Sequence, residues 1–162
     1  MSKAELRTVS VSSIVEMPTE LGNRCLLLQK FGLNAYRNTE EELLDALTGS
    51  VRNKTCLRIC LKSSRCQAFW EQFQRGITPF SEKDPIRLIE CGGHYWVYEG
   101  KHRVCLAKRA GIEHIEAYVW ALHENTESLL PSIGEPGTYQ FKHLIKSNNK
   151  HGEMLFCGPP AP

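Results

Sequence analysis

The residues of this chain best suited to chemistry are a glycine and the three basic residues that follow it. Glu99 and Gly100 precede Lys101, His102 and Arg103. A helix N-terminus leaves about four backbone N–H groups without partners and carries roughly half a positive charge, so a phosphate can bind there. Gly100 permits a sharp turn and a close approach of the ligand to the backbone. We therefore predict an anion site at this turn.

A simpler interpretation of the same residues stays open. Basic residues in a first helical turn are unfavourable with respect to the helix dipole. Glu99 could compensate for them as an ion-pair partner, and the turn would then be only a charged, solvated rim.

The elements that position this turn follow from residue type. Tyr95–Tyr98 is aromatic or β-branched, which favours a strand. The pair Gly92-Gly93 predicts a hairpin turn that joins this strand to Ile86–Glu90. A helix over 102–110 follows, ended by a glycine, and Ile115–Trp120 is a further strand.

The turn and its surroundings resemble the ParB/sulfiredoxin superfamily. The resemblance is carried by Val97–Arg103, by Ala110-Gly111-Ile112 and by the strand that begins at Ile115. It covers residues 84–120, with Thr8–Met17 as an opening strand. It implies an α+β fold, in which helices pack on a small mixed β-sheet.

The resemblance also implies a ligand. In the superfamily the segment that corresponds to Glu99–Arg103 binds nucleotide phosphates. The resemblance therefore implies that Gly100, Lys101, His102 and Arg103 bind phosphate. Glu99 would orient His102 or hold a metal ion. The implied ligands are a nucleotide (ATP, ADP or CTP) or a phosphorylated small molecule, and the implied cofactor is Mg²⁺ with the nucleotide.

Departures from each subfamily narrow the expectation. Sulfiredoxins carry a reactive cysteine where this chain has Lys101, and Cys105 lies inside the predicted helix, so sulfinic acid reduction is not expected. The stretch after the last strand is short for the helix-turn-helix domain of ParB proteins. Kinase-like members need an acid near the end of the first strand, and Glu16 and Glu20 are the candidates for that catalytic base.

Two functional hypotheses follow. The first is a nucleotide- or phosphate-binding protein, which as an enzyme would be a phosphotransferase or nucleotide hydrolase. The second is a non-enzymatic DNA-associated partition or regulatory module, or a ParB-like nuclease. A member of the fold that acts only through protein interaction is a third alternative.

Composition sets outer limits. The chain has 162 residues, 41% of them hydrophobic, and a formal net charge of +2. This predicts one domain with a sizeable core and excludes a polycationic nucleic-acid binder, so any affinity for DNA must come from a local patch. The sequence contains no long apolar run and no signal peptide pattern, and we expect a cytoplasmic protein without a membrane partner.

We predict a domain over residues 1–122 and a loosely structured C-terminal extension over 123–162. The extension is rich in Asn, Ser, Gly and Pro, and the segment Tyr139–Ile145 is the part most suited to packing against the domain.

The cysteines favour no metal site. Their number is odd, no Cys-x-x-Cys pair occurs, and in a reducing compartment they are expected to be small buried hydrophobic residues. The seven are Cys25, Cys56, Cys60, Cys66, Cys91, Cys105 and Cys157.

The remaining elements are placed by periodicity. Thr8–Val15 alternates as a first strand, and Thr39 opens a short helix with a capping box. Lys54–Lys62 also alternates, with Leu57, Ile59 and Leu61 on one face, which predicts a second strand. A helix that begins at Ser64 carries Phe69, Trp70 and Phe73 on one face, which is more typical of a core than of a base-stacking platform.

Overall fold

The computed structural model describes residues 4–76, 85–91 and 93–121, and the fold is built from these ranges. Gly92 of the predicted hairpin turn, Cys157 and the predicted extension 123–162 with its segment Tyr139–Ile145 lie outside them. Within the described ranges, no helix has both the length and the apolar character needed to cross a membrane.

A four-stranded mixed sheet forms the centre of the molecule. The strands are β1 (Glu5–Ser10), β2 (Arg87–Cys91), β3 (His94–Glu99) and β4 (His114–Ala121). They lie in the order β1-β4-β2-β3. The β1–β4 and β2–β3 pairs are antiparallel and the β2–β4 pair is parallel, which confirms the predicted α+β class with a small mixed sheet.

Five α-helices accompany the sheet: α1 (Leu26–Lys30), α2 (Glu40–Thr48), α3 (Lys54–Cys60), α4 (Ser64–Gln74) and α5 (Lys101–Ala110). Helix α5 connects β3 to β4 and supplies Val104 and Ala107 to the core beneath the sheet. A second cluster, in which Leu27, Leu43 and Leu106 are buried, joins the helices to one another. Helix α5 therefore links the sheet to the helical layer.

The predicted capping box is present. Thr39 Oγ1 accepts from the backbone N–H of Glu42, and the Glu42 carboxylate accepts from the N–H of Thr39. Helix α2 ends at Gly49, as expected. The hydrogen bonds from Asn38 and Thr39 lower the pKa of the Glu42 carboxyl.

The predicted strand over Lys54–Lys62 is wrong, because the segment forms helix α3. The Asn53 side chain accepts hydrogen bonds from the backbone N–H groups of Thr55 and Cys56 and so caps the helix. Cys56 and Cys60, four residues apart, point into the helical core. Apolar residues also alternate in this segment, at Leu57, Ile59 and Leu61. This alternation predicted a strand and hid the helical spacing of the two buried cysteines.

The first strand also differs from its predicted bounds. The structure has β1 over Glu5–Ser10, followed by a 3₁₀ helix over Val11–Ser13. Ile14 then forms a parallel bridge with Tyr95, and Val15 N–H donates to the Tyr95 carbonyl. The segment after β1 therefore runs beside the edge strand β3.

Candidate functional site

The predicted anion site lies at the turn between β3 and α5, where a glycine precedes the helix. Gly100 precedes α5 with φ 94° and ψ 20°, a left-handed conformation that favours glycine. The first helical bond runs from Val104 N–H to the Gly100 carbonyl, at 3.0 Å. No acidic residue lies in the first turn of the helix.

Gly100 is also sterically required. A Cβ at this position would lie 3.0 Å from Ile86 Cγ1 and 3.3 Å from Ile86 Cα. It would lie 3.4 Å from Arg103 Nη2, so the arginine side chain folds back over the turn from which its helix starts.

Arg103 is held in the interior. Its side chain is only 5% exposed, and the guanidinium carbon lies 5.5 Å from the centre of the Phe69 ring on α4. A cation over an aromatic face in a partly dehydrated place is attracted by the ring quadrupole. Arg103, which the sequence predicts to bind phosphate, is therefore a buried side chain held in one place by Phe69.

His102 is half-buried and opens onto a cavity of about 240 Å³. Burial lowers the pKa of its imidazole to about 4, and the nearby charges of Arg65 and Lys101 act in the same direction. At neutral pH the ring is uncharged, so it can donate one hydrogen bond and accept another.

The cavity is bounded by helix starts. His102 and Cys105 of α5 face residues from the beginnings of α1 and α4, among them Cys25 and Cys66. Arg24 and Arg65 contribute positive charge to the lining. The described lining contains no carboxylate.

Four cysteines line the cavity, and none of them forms a disulfide: Cys25, Cys60, Cys66 and Cys105. Burial raises the pKa of Cys60 and of Cys105 to about 12, so these thiols are protonated at neutral pH. Among the described residues, no group of three or more His, Cys, Asp or Glu side chains is arranged to hold a metal ion. Mg²⁺ prefers carboxylate and phosphate oxygens, so the described lining does not fit a Mg²⁺ ion held by protein side chains.

Glu99 lies beside the turn but points to another partner. Its carboxylate accepts from Arg87 Nη1 at 2.9 Å, across the β2–β3 hairpin. The expected pairing with His102 is not among the contacts of the described residues. The rim interpretation paired Glu99 with the basic residues of the turn, whereas the described ion pair of Glu99 is with Arg87 on the neighbouring strand.

The structure does not bring Glu16 to the turn. Its Oε1 accepts from Arg109 Nη2 at 2.7 Å and lies 3.7 Å from Lys108 Nζ, near the end of α5. Arg109 is eight residues after Lys101, which along a helix is about 12 Å. Glu20 falls in the 3₁₀ helix Pro18–Leu21, and its side chain lies outside the described part of the structure.

Arg109 explains the position of Glu16. Its side chain is fully buried and donates to Ser50 Oγ, the Leu47 carbonyl, the Cys105 carbonyl and Glu16. A buried charge with all its donors engaged is typical of a structural network that fixes neighbouring segments. The sequence offered no local signal for it, because the partners are distant along the chain.

Arg24 and Arg65 are the site residues that the sequence reasoning missed. Neither arginine belongs to a motif with a known binding chemistry, although Arg65 lies in the predicted helix that begins at Ser64. Their convergence with His102 depends on the correct assignment of α3, which places the start of α4 beside α5.

The sequence matches no protein-family model and no curated protein. Among solved structures the chain is similar to the C-terminally truncated chromosome-partitioning protein ParB from Caulobacter crescentus, complexed with CTP-gamma-S. The identity is 18% and the TM-score 0.29, over 74% of this chain and 46% of that chain. The match thus spans less than half of that protein, and likeness at this level assigns neither a family nor a ligand.

Proposed function

We propose that this protein binds a nucleoside phosphate, with the phosphate against the turn Gly100–Arg103 and the nucleoside in the adjoining cavity. The single observation that carries the proposal is Gly100 in a left-handed conformation at the start of a helix whose first turn holds Lys101, His102 and Arg103 and no acid. Such a turn presents backbone N–H groups and positive charge to one point.

The position of Arg103 supports the proposal. Its buried guanidinium is held close to the turn by the Phe69 ring, so its positive charge adds to that of the helix N-terminus. Arg24 and Arg65 extend the positive potential into the cavity, whose described lining has no opposing carboxylate. The negative charge of a nucleotide's phosphates would therefore be attracted both by the turn and by the cavity lining.

The described carboxylates favour binding over phosphoryl transfer. Glu99 is paired with Arg87 and Glu16 with Arg109, and a general base must reach the proton that it removes. We therefore propose a binding protein rather than an enzyme. Mg²⁺ is included in the test only as an ion that the nucleotide phosphates themselves would coordinate.

The test is isothermal titration of the full chain with ATP, ADP and CTP, each with and without Mg²⁺. We expect micromolar binding of at least one nucleotide. Lys101→Ala and His102→Ala should each weaken it, and Arg103→Ala should abolish it.

Lys30→Ala is the matched control, since this exposed lysine is not among the cavity residues, and its affinity should equal that of the wild type. Circular dichroism of each variant confirms the fold. The proposal would be refuted if none of the three nucleotides bound, or if a folded Arg103→Ala protein bound them with undiminished affinity.

A further inference from the structure

Two segments, one on each side of helix α2, carry basic but no acidic side chains. The segments 21–39 and 49–70 contain no aspartate or glutamate. Eight of their basic side chains are exposed, and one of them, Arg52, pairs with Glu113. We call the other seven the basic surface: Arg24, Lys30, Arg37, Lys54, Arg58, Lys62 and Arg65. The formal charge of the whole chain, only +2, conceals this local concentration.

The fold brings these residues together. Lys54, Arg58 and Lys62 recur every fourth residue along α3 and its final turn, on the side opposite the buried Cys56 and Cys60. Helix α1 packs against α3, so the segment from Arg24 to Lys30 belongs to the same helical layer as this row. Arg24 and Arg65 line one cavity and therefore lie near each other.

None of the seven forms an ion pair with a described residue, whereas basic residues elsewhere in the fold do. Arg7 contacts Glu5 and Glu90, Arg87 contacts Glu99, and Arg109 contacts Glu16. Like charges at i and i+4 on a helix destabilise it, and α3 offers no acid to compensate. A polyanion on this surface would supply the missing charge.

Exposed aromatic rings accompany the basic surface. Phe31 follows Lys30 directly and is 47% exposed, and Tyr36 is 72% exposed. The Tyr36 hydroxyl lies 3.5 Å from the place of a Cβ on Gly22, so the ring sits near the segment that leads to Arg24. Exposed rings interleaved with cations are the arrangement on which unpaired bases stack while the backbone is neutralised.

We infer that the basic surface binds single-stranded nucleic acid, with phosphates on α3 and bases on Phe31 and Tyr36. An anionic membrane is the less suitable partner, because α3 and α1 direct their apolar residues into the helical core. The inference goes beyond nucleotide binding at Gly100–Arg103, and α3 contributes to that cavity only through Cys60.

The test is fluorescence anisotropy of a labelled oligo-dT of about 20 nucleotides, titrated with the full chain at several salt concentrations. We expect binding at low salt that weakens linearly on a log–log plot. Arg58→Gln/Lys62→Gln should weaken binding and reduce the salt slope by about 1.4, since each lost phosphate contact contributes roughly 0.7. Tyr36→Ala should weaken binding about fivefold or more.

The matched control removes the same charge elsewhere. Arg7→Gln/Arg75→Gln lies on β1 and at the end of α4, and it should bind the oligonucleotide like the wild type. ATP titration of the Arg58→Gln/Lys62→Gln protein separates the two proposals, because its nucleotide affinity should equal that of the wild type.

Three results would overturn the inference. One is absence of oligo-dT binding at low salt, including the case in which the protein instead sediments with phosphatidylserine vesicles. Another is equal weakening in the two double variants. The third is tighter binding of a duplex of the same length with no effect of Tyr36→Ala, which would exclude a single-strand surface.

Discussion

The guanidinium of Arg103 and the ring of Phe69 are joined by a cation–π contact of 5.5 Å between α5 and α4. The contact holds the guanidinium near Gly100, although the backbone of Arg103 lies about one helical turn further along α5. The position of the side chain that we propose to bind the phosphate thus depends on a ring from a different helix.

Phe69→Leu tests this dependence. The substitution removes the ring and keeps an apolar side chain, so Arg103 loses an attraction of about 0.5–1 kcal/mol and is held less firmly near Gly100. We expect nucleotide affinity to fall about two- to fivefold in isothermal titration. Phe73→Leu on the same helix is the control, since Phe73 packs against the core and contacts no cation among the described residues. Equal affinity in the two variants would contradict the positioning role.

Gly100→Ala tests the turn itself. A side chain at φ 94° is strained, and the new Cβ meets Ile86 at 3.0 Å. We expect a loss of about 2–3 kcal/mol in the free energy of unfolding, measured by urea denaturation. Gly32→Ala isolates the backbone component, because φ is +73° there and nothing lies within 4 Å. It should cost about 1 kcal/mol. Equal losses would show that the contact with Ile86 is unimportant.

The β3–turn–α5–β4 unit could be predicted from the sequence because its signals are local. Aromatic and β-branched residues specify β3, and glycines lie at the start and the end of α5. Each of these signals acts between residues that are close in the sequence, so it can be recognised without knowing how the strands pair.

The helix α3 could not be predicted from the same kind of signal. Its apolar residues alternate like a strand, and only the Asn53 cap distinguishes the helix. The role of Glu16 was equally hidden, since Arg109 lies 93 residues further along the chain. A carboxylate near the end of a strand suggests a base, but only the fold reveals that a buried arginine already engages it.

Glu16→Ala tests the structural role of this carboxylate. Removal leaves the Arg109 guanidinium buried without its counter-charge, so we expect a loss of about 3–5 kcal/mol in the free energy of unfolding. Glu113→Ala is the matched control. Its pair with Arg52 spans 3.8 Å between largely exposed side chains, and its loss should change stability by less than about 1 kcal/mol. Similar small effects in both variants would contradict a structural network around Arg109.

The imidazole of His102 makes stability depend on pH in a defined direction. Its pKa in the folded chain is about 4, against the ordinary value of 6.5 that we take for the unfolded chain. Between these values the unfolded chain binds a proton that the folded chain does not bind. The contribution of His102 to the free energy of unfolding is therefore fully present above pH 6.5, and it is lost as the pH is lowered towards 4.

Urea denaturation of the wild type and of His102→Gln, at intervals from pH 7 to pH 4, measures this contribution. Carboxylates and the other histidines titrate alike in both proteins, so they cancel in the difference between the two free energies. We expect the wild type to lose stability faster than the variant as the pH falls below 6.5. Parallel curves would mean that His102 is solvated in the folded chain, and the cavity beside the turn would then be open to water at that point.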